Sequence, residues 1–381
     1  MLFACCPDFS DCPTPEAVKL KCRELDPESL NVGTGWRPER LDIDAGELAE
    51  LPPLAAVNYS WHGFTCNKKG AEILSRSSVI VKPADARERE LALPGLLAYF
   101  SQRSSPQSLK PELLKAETEK LLSSWHKKGL YGAEDLMCVL PERAVSLWPE
   151  TFRRNIFYSE TDADCSGGGS PLSPPKLKLF ADGALSARTA SVSEGYLQGE
   201  RGVLIYADSE LAQIFNSCQS RLRPAAVHAV GDEAIEQILR VYGQIAESAE
   251  TAFPLRLEHC QFITEKQALR AKELRLTLCM QPNFSADSLT FADRLGHAAL
   301  RRNNPLRMLI DKAGFIPGED LLFGSDAMDC GAAAALQSAL FPPYAGQRLS
   351  AEELKAGCRA DARYGFTELL IDADNKSVIY A

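Results

Sequence analysis

The chain has 381 residues, of which 45% are apolar and 24% charged, and 42 Lys and Arg oppose 51 Asp and Glu for a net charge of −9. This acidic, globular composition excludes a disordered, collagenous or disulfide-stapled chain. Basic residues never run beyond adjacent pairs, so the sequence lacks an electrostatic footprint for nucleic acid or anionic lipid.

The cysteines and the N-terminal residues indicate the cellular compartment of the protein. The 12 cysteines include no C-x-x-C pair, so we expect reduced, mostly buried thiols. The first residues lack the basic and apolar regions of a secretory signal, and no run approaches the ~18 apolar residues of a membrane helix. We therefore expect a cytoplasmic protein that binds neither membrane nor nucleic acid.

The segment 1–135 predicts the N-terminal part of a barrel with a helical, substrate-side excursion. We expect a helix over 15–25, a turn at 33–35, a strand over 55–59 and helical structure from 88 to 128. The composition indicates no separate domain for the helical part.

The segment 136–368 predicts the main domain, because short apolar runs alternate with amphipathic stretches, as in βα units of a parallel sheet. The predicted strands cover 136–140, 155–158, 177–180, 225–228, 255–257, 276–280 and 321–323. Helices are predicted over 209–222, 232–245, 264–274 and 304–313, with Asp232 and Thr264 as N-caps, and a Gly- and Pro-rich loop over 165–175. Seven strands with helices between them predict an α/β fold of the (β/α)8 TIM-barrel type, with one strand missing. Residues 369–381 form a short tail.

Two of the five histidines end predicted strands. His228 and His259 close neighbouring strands, and the carboxyl ends of barrel strands face the active-site mouth. Two imidazoles delivered to one place are typical of a metal site. The alternative is that each is a half-buried structural histidine.

Asp326 and Lys178 are the other candidates for this site. Asp326 follows the last predicted strand and can act as a general base beside a metal-activated water, or can cap the helix entered at Gly331. Lys178 lies within a strand, where desolvation depresses the pKa of an inward-pointing amine. His126 and His297 are interpreted as surface residues, and Cys260 and Cys330 as inert thiols near the site.

Five ordered segments carry a resemblance to a known family. They are Lys178–Ala190 (KLFADGALSARTA), Val227–Ile235 (VHAVGDEAI), Arg256–Gln261 (RLEHCQ), Met280–Pro282 (MQP) and Phe323–Asp326 (FGSD). In this order they resemble the motifs of family-3 amidohydrolases, the branch of the metal-dependent amidohydrolase superfamily that includes N-substituted formamide deformylase. Segments 32–36 and 59–67 resemble the substrate-side segments of that branch.

The resemblance implies a role for each candidate residue. His228, His259 and Asp326 would bind a divalent metal, expected to be zinc, and Asp326 would also move the proton in catalysis. Lys178 would join them as a ligand after carboxylation of its amine. The substrate, a small amide-type molecule, would contact a further set: Trp61, His62, Asn67, Asp182 and Arg188.

The chain departs from that family at its beginning. Family members start the barrel with a strand ending in His-x-His, preceded by part of a small β-sandwich, and this sequence has no His-x-His. We therefore expect an N-terminally truncated barrel without its first strand and most of the sandwich. Without that histidine pair, ligand counting favours one metal ion over two. Two functions stay open: a hydrolase of C–N bonds, or a non-catalytic relative that binds a small ligand or a partner without turnover.

Overall fold

The computed structural model describes residues 6–59, 61–103, 111–136, 153–156, 158–159, 176–326, 331–359, 363 and 365–381. The chain divides into two compact units. Unit 1 comprises Met1–Leu121 and Cys138–Trp148, and unit 2 comprises Leu122–Met137 and Pro149–Ala381. The domain limits expected at 135/136 and 368/369 stay predictions. No helix within the described ranges is long and apolar enough to cross a membrane.

Unit 1 is built on a small three-stranded sheet. Its strands are β1 (Asn31–Trp36), β2 (Leu54–Asn58) and β3 (Phe64–Cys66), with β2 parallel to β1 and antiparallel to β3. The helices that begin in this unit are α1 (Pro15–Lys21), α2 (Lys68–Leu74), α3 (Ala86–Arg103) and α4 (Pro111–Lys127), and a 3-10 helix covers Gly46–Glu50. Helix α1 ends four residues before the predicted end. The helical structure expected between 88 and 128 is present as α3 and α4.

The predicted turn at 33–35 is wrong, because these residues belong to β1. The glycines have a different purpose: a Cβ on Gly33 would lie 2.2 Å from the ring of Phe9, and one on Gly35 would lie 2.4 Å from the carboxylate of Asp8. Gly35 also adopts a φ of +71°. The segment around Asp8 pairs with Thr34. The two glycines therefore make room for this neighbouring segment and do not reverse the direction of the chain.

Unit 2 contains a six-stranded parallel sheet with the order β11-β10-β9-β8-β7-β6. Its strands are β6 (Tyr158–Ser159), β7 (Leu177–Phe180), β8 (Ala225–Ala229), β9 (Leu255–His259), β10 (Thr277–Met280) and β11 (Leu321–Phe323). Two further pairs are β4 (Gly132–Asp135) with β5 (Arg153–Ile156), and the antiparallel hairpin of β12 (Leu369–Asp372) with β13 (Ser377–Tyr380). Strand β4 lies before the strand predicted at 136–140. Residues 137–140, residue 157 of the strand predicted at 155–158, and the predicted loop 165–175 fall outside the described ranges.

Helices follow the strands of this sheet. They are α5 (Asp208–Arg221), α6 (Asp232–Ser248), α7 (Glu265–Glu273), α8 (Asp287–Thr290), α9 (His297–Arg302), α10 (Leu306–Asp311), α11 (Ala332–Leu340) and α12 (Ala351–Gly357), with 3-10 turns at Pro282–Ala286 and Ala345–Gln347. Thr264 caps α7 as predicted, since its side chain accepts the N–H of Gln267. Asp232 is not a cap, because Gly231 occupies that position and Asp232 is the first helical residue.

Alternation along the strands divides the sheet into two chemically different faces. Leu177, Leu179, Val227 and Leu257 belong to the apolar core with the helices. The intervening positions of the same strands point to the opposite face, because successive side chains alternate. They carry the charged, imidazole and thiol groups of the candidate site: Lys178, His228, Arg256, Glu258 and Cys279.

Candidate functional site

The candidate site lies at the carboxyl edge of the parallel sheet in unit 2. In register, His228 on β8 lies opposite Phe180 on β7 and Glu258 on β9. His259, the last residue of β9, lies opposite Ala229. The register makes the two histidines diagonal neighbours on adjacent strands, and the backbone of His259 departs there from strand conformation, with a φ of +73°.

The two imidazoles touch each other within the protein. Their ring centroids are 4.4 Å apart with planes at 65°, and both residues are buried. Phe180 packs on His228 at 5.1 Å, and Phe284 stacks on His259 at 5.6 Å. Aromatic walls thus fix both rings and exclude water from them.

Hydrogen bonds set the tautomer of each ring. The Nδ1 of His259 lies 2.8 Å from the Oε1 of Gln281, and the Nε2 of His228 lies 2.9 Å from the carbonyl oxygen of Gly183. Because both partners are carbonyl oxygens, Nε2 of His228 and Nδ1 of His259 donate, and in a neutral ring the other nitrogen is the acceptor. Burial lowers the pKa of His259, which favours the neutral ring. An imidazole held this way suits metal ligation.

Lys178 is buried among charged groups on the same face. Its Nζ lies 4.7 Å from the centroid of the Phe180 ring. Burial lowers the pKa of Lys178 to about 8, although the charges of Glu258 and Asp326 oppose this shift. A lysine in this state is partly uncharged near neutral pH, which a reactive or metal-ligating amine requires.

An ion-pair network lies beside Lys178. The Nε of Arg256 donates to Glu258 at 2.5 Å, and its Nη1 donates to Glu134 at 2.5 Å. Arg256 and Glu258 lie within the segment Arg256–Gln261, whose sequence alone predicts no role for them. Charged residues at alternate positions of an apolar strand were the available signal, because they mark a polar inner face.

Asp326 is electrostatically linked to two of the other three candidates. Its charge acts on the pKa of both Lys178 and His259. It follows β11 in a turn with a φ of +54°, and the preceding carbonyl, of Ser325, accepts the amide of Asn283 at 3.0 Å. Residues 327–330, including Cys330, fall outside the described ranges.

The donor set fits a divalent cation in its chemistry. Two imidazoles, a carboxylate and a lysine of lowered pKa are groups that bind such an ion, with the lysine as its carbamate. In the described part of the chain, no three His, Cys, Asp or Glu side chains are positioned to hold one metal ion. A metal ion held by the two histidines would therefore need Lys178, which is not one of those four residue types, or a movement of Asp326 to complete its ligands.

Asp182 and Arg188 lie in the segment after β7. The buried carboxylate of Asp182 accepts the backbone N–H groups of Ser191, Val230 and Gly231 at 2.8–3.0 Å, and its Oδ1 lies 3.6 Å from the Nε2 of His228. These contacts tie two strand ends together beside His228. Arg188 is paired with the exposed carboxylate of Glu200 at 3.2 Å.

The other predicted substrate residues belong to unit 1. His62 lies 2.6 Å from the buried carboxylate of Glu90, a partner that the sequence analysis did not identify. Trp61 precedes it with a φ of +58°. Asn67 is buried, caps α2 and accepts the N–H of Leu54 at 3.0 Å, so the fold uses its amide.

The remaining histidines and cysteines have structural surroundings. His126 is not a solvated surface residue, because it is partly buried and packs on the ring of Tyr131 at 5.4 Å. His297 is exposed and accepts a hydrogen bond from Arg301. Burial raises the pKa of Cys260, so its thiol stays protonated.

Comparison with known proteins adds independent findings. The model of the amidohydrolase family matches residues 113–332, more than half of the chain. Protein YtcJ of Bacillus subtilis (strain 168) is 24% identical over 348 residues, which cover 82% of this chain and 64% of that relative. The protein LONG AFTER FAR-RED 3 of Arabidopsis thaliana is 27% identical over 124 residues, 32% of this chain and 21% of that relative. The chain thus spans less than two thirds of either relative.

Two solved structures have the same fold. They are titled as uncharacterized metal-dependent hydrolases of Pyrococcus horikoshii OT3 and Pyrococcus furiosus, each with a TM-score of 0.65 and 20% identity. The first covers 88% of this chain and 70% of its own, and the second 92% and 76%. These matches confirm the predicted TIM-barrel-type α/β fold.

Proposed function

Because this chain belongs to amidohydrolase family 3, we propose that it is a hydrolase that uses one divalent metal ion, zinc, to cleave an amide-type C–N bond. The observation that carries the proposal is the pair of buried, hydrogen-bonded imidazoles in contact at the carboxyl edge of the sheet, where the charge of Asp326 acts on His259.

His228, His259 and Asp326 would hold the ion, with Lys178 as the fourth donor. A divalent ion bound there would polarise a substrate carbonyl and make water a better nucleophile at neutral pH. The hydrogen bonds to Gln281 and Gly183 would leave Nε2 of His259 and Nδ1 of His228 to face the ion. The lowered pKa of Lys178 leaves an amine that can react with carbon dioxide, and the resulting carbamate would replace a repelling cation by two anionic oxygens.

Asp326 is the proposed proton carrier. Its carboxylate would accept a proton as water attacks the carbonyl carbon, and would return it to the leaving nitrogen as the C–N bond breaks. The products are a carboxylic acid and an amine, so atoms and protons balance. Trp61, His62, Asn67, Asp182 and Arg188 stay proposed substrate contacts.

Metal analysis of the purified chain tests the proposal. We expect close to one zinc per chain, and loss of zinc in His228→Ala and His259→Ala. His297→Ala, which removes an exposed imidazole, is the matched control and should keep the metal. Hydrolysis of a panel of small amides, N-substituted formamides included, should follow the zinc content. A wild-type chain that neither retains zinc nor takes it up would refute the proposal and favour ligand binding without turnover.

A further inference from the structure

Two neighbouring asparagines are buried in unit 2 between helices α9 and α10. Asn303 is 1% exposed and Asn304 is 0% exposed. A buried amide loses its hydration, and this loss is offset only where the protein supplies hydrogen bonds in its place. Both residues lie outside the five segments that carry the family resemblance. Their burial therefore indicates that the two amides hold groups of the surrounding segments.

Asn304 joins the ends of β9 and β10. Its backbone N–H donates to the carbonyl oxygen of Gln261, two residues beyond the end of β9, at 2.7 Å. Its side-chain Nδ2 donates to the carbonyl oxygen of Gln281, just beyond β10, at 2.9 Å, and to the Oγ of Ser285 at 2.9 Å. The residue has a φ of +55°, a left-handed conformation that asparagine adopts more readily than most residues. Asparagine thus satisfies both the backbone and the side-chain requirement at this position.

The carbonyl that Asn304 holds belongs to the residue that sets the tautomer of His259. Gln281 is 4% exposed, and its Oε1 accepts the Nδ1–H of His259 at 2.8 Å. The carbonyl oxygen of Gln281 also accepts the backbone N–H of Phe284 at 3.0 Å. Because a carbonyl oxygen has two lone pairs, the main chain of Gln281 is held from both sides, and its side chain starts from a fixed position.

Asn303 holds the aromatic wall of the same imidazole. Its Nδ2 donates to the carbonyl oxygen of Phe284 at 2.9 Å and to the Oγ of Ser288 at 3.0 Å. Its Oδ1 accepts the Nε2 of Gln261 at 3.1 Å. The Phe284 ring stacks on His259 with the ring centroids 5.6 Å apart and the planes at 26°. The two adjacent amides therefore hold the hydrogen-bond partner and the stacking partner of one histidine.

We propose that Asn303 and Asn304 are positioning residues for His259. Asn304 acts through Gln281 and sets the tautomer of the ring. Asn303 acts through Phe284 and sets the orientation of the ring. The inference rests on the proposed metal site for its effect on zinc affinity, whereas the tautomer and orientation of His259 are properties of the metal-free chain.

The first test is the NMR spectrum of the His259 ring in the full-length, metal-free, 15N-labelled chain, with His259→Ala to assign the signals. Asn304→Gly removes the amide and keeps the left-handed backbone accessible. We expect the Nδ1–H form in the wild type and a mixture of tautomers in this variant. Asn303→Ala should keep the Nδ1–H form and shift the ring protons, because the stacked Phe284 ring moves. Asn304→Ala replaces the glycine variant if the latter does not fold.

Gln219→Ala is the matched control for a purely structural effect. The Gln219 amide donates to the carbonyl oxygen of Thr251 at 2.8 Å and accepts the N–H of Phe253 at 3.0 Å, in the segment before β9. Its loss should lower stability in urea unfolding and leave the His259 signals unchanged. A folded Asn304 variant with the wild-type tautomer, or an equal change of the His259 signals in Gln219→Ala, would overturn the proposal.

The second test is a double-mutant cycle on zinc affinity, measured by competition with a chelator. Asn304→Gly should weaken zinc binding about three- to tenfold, as expected for the loss of one or two hydrogen bonds. Combined with Gln281→Leu it should weaken binding no further than Gln281→Leu alone, because Asn304 acts through the acceptor that is already lost. Losses that multiply in the double variant would contradict the proposed route. A wild-type chain that binds no zinc would refute the proposed function, and the tautomer of His259 would still decide the role of Asn304.

Discussion

Replacing Gln281 by leucine removes the acceptor that fixes the tautomer of His259. The Oε1 of Gln281 accepts Nδ1–H at 2.8 Å, and its amide group donates to the carbonyl of Cys279 at 3.3 Å. The main chain at 281 stays anchored, because Asn304 donates to its carbonyl oxygen at 2.9 Å. The substitution therefore acts on the orientation of the imidazole rather than on the strand.

The expected loss of zinc affinity follows from the hydrogen bond between Gln281 and His259. Loss of the hydrogen-bond partner of a ligating histidine typically lowers metal affinity by about 10- to 100-fold, which equals ~1.4–2.7 kcal/mol. Gln281→Glu keeps an oxygen at the acceptor position and should bind zinc within a few-fold of the wild type.

Two measurements test this prediction. Competition with a chelator gives the zinc affinity, and the 15N shifts of His259 give its tautomer without metal. We expect the Nδ1–H form in the wild type and in Gln281→Glu, and a mixture in Gln281→Leu. Equal zinc affinity and an unchanged tautomer in the leucine variant would refute the reasoning.

Three further predictions concern stability, and urea unfolding measures each. Arg256→Met leaves Glu258 buried without its main cation and should lower the free energy of unfolding by about 3–5 kcal/mol. The double variant with Arg256→Met and Glu258→Leu should recover most of this loss, and a double variant as unstable as the single one would contradict the prediction. Burial raises the pKa of Asp287 to about 6, so folding favours its neutral form, and stability should fall by on the order of 2–3 kcal/mol as pH rises from 4 to 7. Asp287→Asn, which keeps an oxygen for Gln261, should lose this component, and an unchanged pH dependence would contradict the assignment. Thr264→Ala removes the N-cap of α7 and should cost about 1 kcal/mol; no loss would show that the cap is dispensable.

The sequence predicted strands β7 to β11 well because each is a short, largely apolar run followed by an amphipathic stretch. The run Leu321–Phe323 matches the strand limits, and the strands at 177, 225 and 255 begin where expected. The turn predicted at Gly33 failed because glycine content does not distinguish a reversal from a close approach of another segment. Asp232 failed as a cap because Gly231 adopts the cap conformation one residue earlier.

The candidate site was predictable only for residues at strand ends. His228 and His259 were proposed because they lie at the carboxyl ends of neighbouring strands, and Lys178 because it is a lysine within an apolar strand. Gln281 and Glu90 were not, since their contacts join residues 22 and 28 positions apart and depend on the fold. Asn67 was predicted from its motif to contact the substrate, and in the fold its buried side chain also caps α2.

A zinc-edge anomalous difference map from crystals grown with zinc would show whether His228 and His259 bind the same zinc ion. We expect one peak per chain, about 2 Å from the Nε2 of His259 and the Nδ1 of His228, with Asp326 or Lys178 completing the ligands. A map without a peak between the two histidines, or with zinc bound only elsewhere, would contradict it.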